Sequence, residues 1–222
     1  MNLTSDARLG TDLLWRDIRV PRFARPLPAL FLDRDGVLIE EKNYIRDPKD
    51  VELVSGIGDL IRAARQMGMA AVAITNQAGI ARGYFDWPEM ILVEDRMTRL
   101  LLEQQVTIDA VFACPFHPDG LSPYRAADHP WRKPNTGMLR EARDLLNLDL
   151  SRSAILGDKA ADLEAGRSAG LALGVHVRTG HGLAQEEASR SLASEKFPVH
   201  VVSTPSEAEP LLAAALRISR NG

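Results

Sequence analysis

Asp33 and Asp35, in the run Phe31-Leu32-Asp33-Arg34-Asp35-Gly36, are the first residues of the chain whose types and spacing could do chemistry. They follow an apolar run that reads as a strand, and the glycine after them permits a sharp turn, so both carboxylates can serve one site. In open parallel sheets such strand ends border the ligand crevice. Asp and Gly are also ordinary turn residues, so the motif by itself equally describes a solvated turn or a calcium-like loop. Further polar clusters follow in order: Thr75-Asn76-Gln77, then Arg132-Lys133-Pro134, then Gly157-Asp158-Lys159 with Asp162. Each lies beside a turn or the end of an expected strand, so all could converge on one crevice. Paired carboxylates converging with a hydroxyl and with cationic side chains are the types that nucleophilic and general acid–base chemistry uses.

The elements that must position these groups are legible as an alternation of short apolar runs with helical patterns. Strands are expected at 29–32, 70–75, 110–114, 154–156, 171–177 and 199–202. Helices are expected at 57–67, 87–103, 137–146, 162–168, 185–193 and 206–218. This rhythm predicts an α/β fold with a doubly wound, mostly parallel sheet. The interval between Asp35 and Thr75 holds little beyond one helix, so no separate cap domain is expected. Enclosure of a substrate then falls to the loops at 40–47 and 115–131. Residues 1–28 read as an N-terminal extension, with a short helical pattern around 12–18 followed by Pro21, Pro26 and Pro28. Its arginines, Arg8, Arg16, Arg19, Arg22 and Arg25, are expected on a solvated face. Residues 29–222 form the expected domain.

A chain of 222 residues with 45% hydrophobic content can bury a full core. A net charge of -3 gives no reason to expect nucleic acid or an anionic membrane as partner. Cys114 is the sole cysteine, so no intrachain disulfide can form. Charges at Asp6, Arg8, Asp12, Arg16 and Asp17 deny the N-terminus the core of a signal peptide, and no apolar stretch is long enough to span a bilayer. The expectation is a cytoplasmic protein, with a small acidic or phosphorylated substrate left open and a monomer favoured.

The ordered constellation resembles the haloacid dehalogenase-like phosphohydrolase superfamily, whose four motifs match Asp33-Arg34-Asp35-Gly36, Thr75, Lys133, and Gly157-Asp158 with Asp162. The resemblance implies that Asp33 is the nucleophile, forming an aspartyl-phosphate, and that Asp35 is the general acid and base. It implies that Thr75 and Lys133 bind phosphoryl oxygens. Magnesium would be held by Asp33, Asp158 and the backbone carbonyl of Asp35, a hard-oxygen set that suits this ion. Related ATPases carry threonine where this chain has Asp35, which favours a hydrolase. A phosphate-ester binding protein without catalysis would need neither the nucleophile nor the acid.

Longer phrases narrow the resemblance: FLDRDGVL (31–38), TNQAGIARG (75–83), CPFHPDG (114–120), RKPNTGML (132–139) and GDK (157–159). They are similar to the D-glycero-D-manno-heptose 1,7-bisphosphate 7-phosphatase family, with histidinol-phosphate phosphatases as nearest relatives and the alternative activity. The match implies substrate contacts from Glu41, Lys42, Asn43, Tyr44, Asn76, Gln77, Ala78, Arg132, Lys133 and Lys159. Arg132 favours a sugar bisphosphate, because a guanidinium can clasp a second phosphate that histidinol phosphate lacks. The chain departs from the family at a zinc loop, whose ligand positions here read Cys114, Phe116, His129 and Trp131. Phe116 and Trp131 offer no donor, so zinc is expected to be absent. Phe116 and Trp131 are expected to pack together instead, with His117 and Asp128 the donors that a rearranged site would recruit.

Overall fold

The structure, a computed structural model, describes residues 6–218. Strand β2 (Ala29–Leu32) lies at the centre of the sheet and is buried at every position. Its side chains alternate between two cores: Leu30 and Leu32 enter one, Ala29 and Phe31 the other. A strand covered on both faces has no polar positions, which is why this run is continuously apolar.

The other strands are β1 (Trp15–Ile18), β3 (Ala70–Asn76), β4 (Ala110–Cys114), β5 (Ala154–Gly157), β6 (Leu173–Val177) and β7 (Val199–Val202). They assemble in the order β1-β4-β3-β2-β5-β6-β7. All neighbours are parallel except the β1–β4 pair. Helices α1 (Ile57–Gln66), α3 (Trp87–Glu103) and α7 (Glu209–Ile218) contribute to the core on one face, and α4 (Gly137–Leu146) and α5 (Ala160–Ala169) to the core on the other. A four-residue helix α2 (Ala78–Ala81) follows β3, and α6 (Gly182–Arg190) follows β6. The expected α/β architecture is therefore present. Between β2 and β3 the described residues hold only α1 and a 3-10 turn, Pro48–Asp50, with no inserted cap. None of the described helices is long and apolar enough to cross a membrane.

The helical pattern expected around 12–18 is overturned. Leu13 has φ +64, which interrupts any helix there, and residues 15–18 pair antiparallel with the outer edge of β4. That edge would otherwise present unpaired backbone groups. Strand alternation sends Trp15 to the α3 face, stacked on Trp87 at 5.6 Å, while Leu14 enters the opposite core. The expected solvated arginine face is also corrected in part. Arg8 covers the Trp15 ring at 4.6 Å and pairs with Asp6, and Arg19 pairs with Asp17 at 2.8 Å. Arg22 and Arg25 are exposed.

Trp15 is fully buried, so Trp15→Ala is expected to cost about 3–5 kcal/mol of global stability. Urea unfolding checks this: a single transition with a lowered midpoint is the expected outcome, and an unchanged midpoint would separate the N-terminal strand from the fold.

Candidate active site

The carboxyl ends of β2, β3 and β5 open on one cavity of about 350 Å³. Asp33 follows β2 directly, and its backbone N–H donates to Leu156 O on β5 at 3.1 Å. Gly36, at φ +83, makes the turn. A Cβ there would come within 2.5 Å of Asp158 Oδ2, so the turn needs glycine both for its backbone and for the close approach of that carboxylate.

Lys133 is the hub. Its ammonium is 2.8 Å from Asp33 Oδ1, 2.7 Å from Asp162 Oδ1, and donates to Ile74 O at 2.8 Å. All three side chains are buried. Burial works to raise the Asp33 pKa, but Lys133 and Lys159 outweigh it and hold that carboxyl below its usual value. Burial works to lower the Lys133 pKa, and Asp162 and Asp33 raise it overall. Asp33 Oδ1 also accepts from Arg34 N at 2.8 Å. Among the described residues no hydrogen bond engages Asp33 Oδ2, so that oxygen is left for a ligand.

Asp35 is held from two sides. Arg34 reaches its oxygens at 2.9 and 3.0 Å, and Gln77 Nε2 donates to Oδ2 at 2.9 Å. Gln77 also donates to Thr75 Oγ1 at 2.8 Å, which links the floor of the site to β3. Arg34 is itself buried, and its second anchor is Glu94 Oε1 at 3.2 Å on α3. Burial pushes the Glu94 carboxyl up.

A divalent cation fits the acidic side of this cavity. Ligand oxygens of Asp33, Asp158 and Asp162 lie within 4.8 Å of one another. Asp162 is already engaged on both oxygens, by Lys133 and by Lys159 N. Asp158 differs: Oδ2 accepts from His181 N, while among the described residues buried Oδ1 has no hydrogen-bond partner and faces the Lys159 ammonium at 3.5 Å. Burial, then the charge of Asp33, push the Asp158 carboxyl up to about 7. A buried carboxylate oxygen without a donor, beside a second carboxylate, is the environment that a hard cation satisfies.

Of the expected substrate contacts, Glu41, Asn43, Tyr44, Asn76, Gln77, Ala78, Arg132, Lys133 and Lys159 line the cavity. Asn43 and Tyr44 are consecutive left-handed residues, at φ +51 and +60, and the Tyr44 hydroxyl accepts from Arg82 at 2.6 Å. Lys42 is not brought to the cavity: its ammonium pairs with Glu52 at 2.6 Å and donates to Asp50 O. Thr75 and Asp158 lie beneath the wall, almost fully buried.

The loop at 115–131 is held by apolar burial as expected, with Phe116 and Trp131 in one buried cluster, but their ring partners differ. Phe116 stacks on His129 at 4.0 Å, whereas Trp131 meets Phe112 edge-on at 5.9 Å. The loop also carries Arg132, whose Nη1 donates to Phe116 O at 3.1 Å.

Sequence reasoning missed Glu94, His181 and the holding role of Asp162. Glu94 had a signal: it occupies an apolar-face position in the spacing Trp87, Met90, Glu94, Met97, Leu101, where a charge needs a buried partner. His181, 3.4 Å from Glu41 at the cavity rim, had none.

Residues 130–208 match the family model described as HAD-hydrolase-like. A D-glycero-beta-D-manno-heptose-1,7-bisphosphate 7-phosphatase from Mesorhizobium japonicum is 49% identical over 152 residues, 68% of this chain and 70% of that protein. Its Escherichia coli K12 namesake is 37% identical over 163 residues, 73% of this chain and 85% of that protein. The crystal structure of a HAD-like phosphatase from Mesorhizobium loti superposes with a TM-score of 0.81 at 41% identity, covering 92% of this chain and 94% of that one. That of a D,D-heptose 1,7-bisphosphate phosphatase from B. bronchiseptica, complexed with magnesium and phosphate, gives 0.70 at 28% identity over 88% of this chain and all of that one. With motif order, sheet topology and relatives in agreement, the chain is a phosphoric monoester hydrolase and belongs to the haloacid dehalogenase-like phosphatases, in the family that includes the heptose-1,7-bisphosphate 7-phosphatases.

Proposed function

We propose that the protein removes the 7-phosphate from D-glycero-D-manno-heptose 1,7-bisphosphate through an aspartyl-phosphate on Asp33. The observation that carries this reading is the geometry around Lys133, which leaves Asp33 Oδ2 as a charged, buried and uncommitted nucleophile in the same cavity as Arg132. Asp33 Oδ2 attacks phosphorus, and the ester oxygen leaves as Asp35 delivers its proton. Asp35 then takes a proton from the water that hydrolyses the phosphoenzyme. Arg34 and Gln77 hold the Asp35 carboxyl at the site, Lys133 offsets charge on the phosphoryl oxygens, and the Thr75 hydroxyl would hydrogen-bond to them. Magnesium, bound by Asp33, Asp158 and the Asp35 carbonyl, would neutralise the phosphate and orient it for in-line attack.

Arg132 is the group proposed to clasp the second phosphate. It lines the cavity, among the described residues no carboxylate pairs with its guanidinium, and burial followed by the charge of Arg82 depresses its pKa, so an arriving dianion would relieve it. Glu41, Asn43, Tyr44, Asn76, Ala78 and Lys159 are then placed to meet the sugar and its phosphates. The ligand is a small phosphorylated metabolite rather than nucleic acid or membrane.

Asp33→Asn is expected to lower magnesium-dependent phosphate release by about 10⁴-fold or more, as loss of a nucleophile does elsewhere. Turnover near that of the unsubstituted enzyme would rule out the covalent role. Side-by-side kinetics should give a higher kcat/KM for the heptose bisphosphate than for histidinol phosphate, and the reverse order would replace the substrate. Because Phe116 and Trp131 carry no donors and His129 stacks on Phe116, metal-washed protein is expected to be zinc-free by elemental analysis. Stoichiometric zinc would mean a donor set rebuilt around Cys114.

A further inference from the structure

Strand β1 ends at the edge of the sheet, yet one of its side chains reaches the loop that carries two cavity cations. Arg16 lies opposite Phe112 in the β1–β4 register. Alternation directs it to the face that holds Phe112 and Trp131, away from Trp15. Its guanidinium sits over the Trp131 indole, 4.5 Å from the centroid. Ion pairs to Asp12 at 2.7 Å and to Glu141 on α4 at 2.6 Å hold it there.

Trp131 immediately precedes Arg132 and Lys133, and it has little room to move. Pro130 O accepts from Gly137 N at 2.9 Å, and a Cβ on Gly137 would lie only 2.6 Å from the indole Cδ1. A shift of the ring must therefore move the turn that follows it. The two cations of that turn are tethered unequally. Lys133 has two carboxylates and a carbonyl. For Arg132 the side-chain tether among the described residues is one bond to Phe116 O. Loosening the turn should consequently displace Arg132 while Lys133 stays in place.

We propose that the N-terminal strand is a positioning element for substrate recognition, in which Arg16 clamps Trp131 and thereby sets Arg132 for the second phosphate. The proposal rests on the reading of Arg132 given above. Arg16 touches no reacting atom, so the prediction is selective. For Arg16→Ala, the KM for the heptose bisphosphate should rise about fivefold, the scale of one cation on an indole face. Its kcat, and both constants for p-nitrophenyl phosphate, should stay within about twofold of the unsubstituted enzyme, since only recognition of the second phosphate is weakened. Arg16→Lys, which keeps a cation over the ring, should recover part of the KM.

Arg132→Ala is the control that separates the two readings. If it raises the bisphosphate KM and Arg16→Ala does not, the strand has no positioning role. If Arg132→Ala also leaves that KM unchanged, the second-phosphate reading fails and the proposal falls with it. An equal change for both substrates in Arg16→Ala would mark a general structural effect and overturn the proposal. Should Arg16→Ala fail to fold, Glu141→Gln removes one anchor of Arg16 at a partly exposed site. It should then show a smaller rise of the same selective kind, and no rise would count against the clamp.

Discussion

An ammonium group placed between two carboxylates, out of water, is the contact around which this site is built. Lys133 lies under 3 Å from both Asp33 and Asp162 and donates to the carbonyl of Ile74. Burying any one of these charges alone would cost several kcal/mol, so each needs the others. The contact also joins four parts of the chain: the end of β2, the end of β3, the loop before α4 and the first turn of α5. Because Lys133, with Lys159 nearby, offsets the charge of the two carboxylates, Asp33 can stay ionised at the cavity with one oxygen outside the Lys133 contact. That is the property a carboxylate nucleophile requires.

The neighbouring carboxylate is managed by a different device. Arg34 lies between the two aspartates in sequence, yet it turns away from Asp33 and grips Asp35 together with Gln77. Its own position depends on Glu94, sixty residues further along on α3. The two aspartates therefore sit in separate electrostatic settings although one residue separates them, a lysine facing the first and an arginine the second. Asp158, beneath them, keeps one buried oxygen that accepts no hydrogen bond among the described residues, an environment that a hard cation would satisfy.

In the proposed function, recognition beyond the reacting phosphate would fall to loops, because among the described residues no cap is inserted between β2 and β3. Loops gain precision when rigid groups hold them. Here the hold comes from aromatic packing: Phe116 on His129, Trp131 against Phe112, and the Arg16 guanidinium over Trp131. The edge strand that supplies Arg16 also covers β4, so a segment outside the repeating βα pattern closes the sheet while reaching toward the cavity.

The parallel strands and the motifs at their ends were legible in the sequence because each is a local signal. A fully buried central strand must be a continuous apolar run, and the polar group that follows it marks the crevice. Asp33, Asp35, Thr75 and Asp158 stand out in this way and Lys133 through its place in the ordered motifs, and the structure brings them to one place. Other features depended on partners far along the chain, and only the tertiary structure decided them. Residues 15–18 became a strand because the edge of β4 was open to pair with them, which no propensity of their own encodes. Glu94 became part of the site because Arg34 was buried opposite it, and Lys42 left the site because Glu52 and the Asp50 carbonyl were nearer. Sequence could name the groups able to do the chemistry. Which oxygens remained free, and what held them, depended on long-range burial of charge.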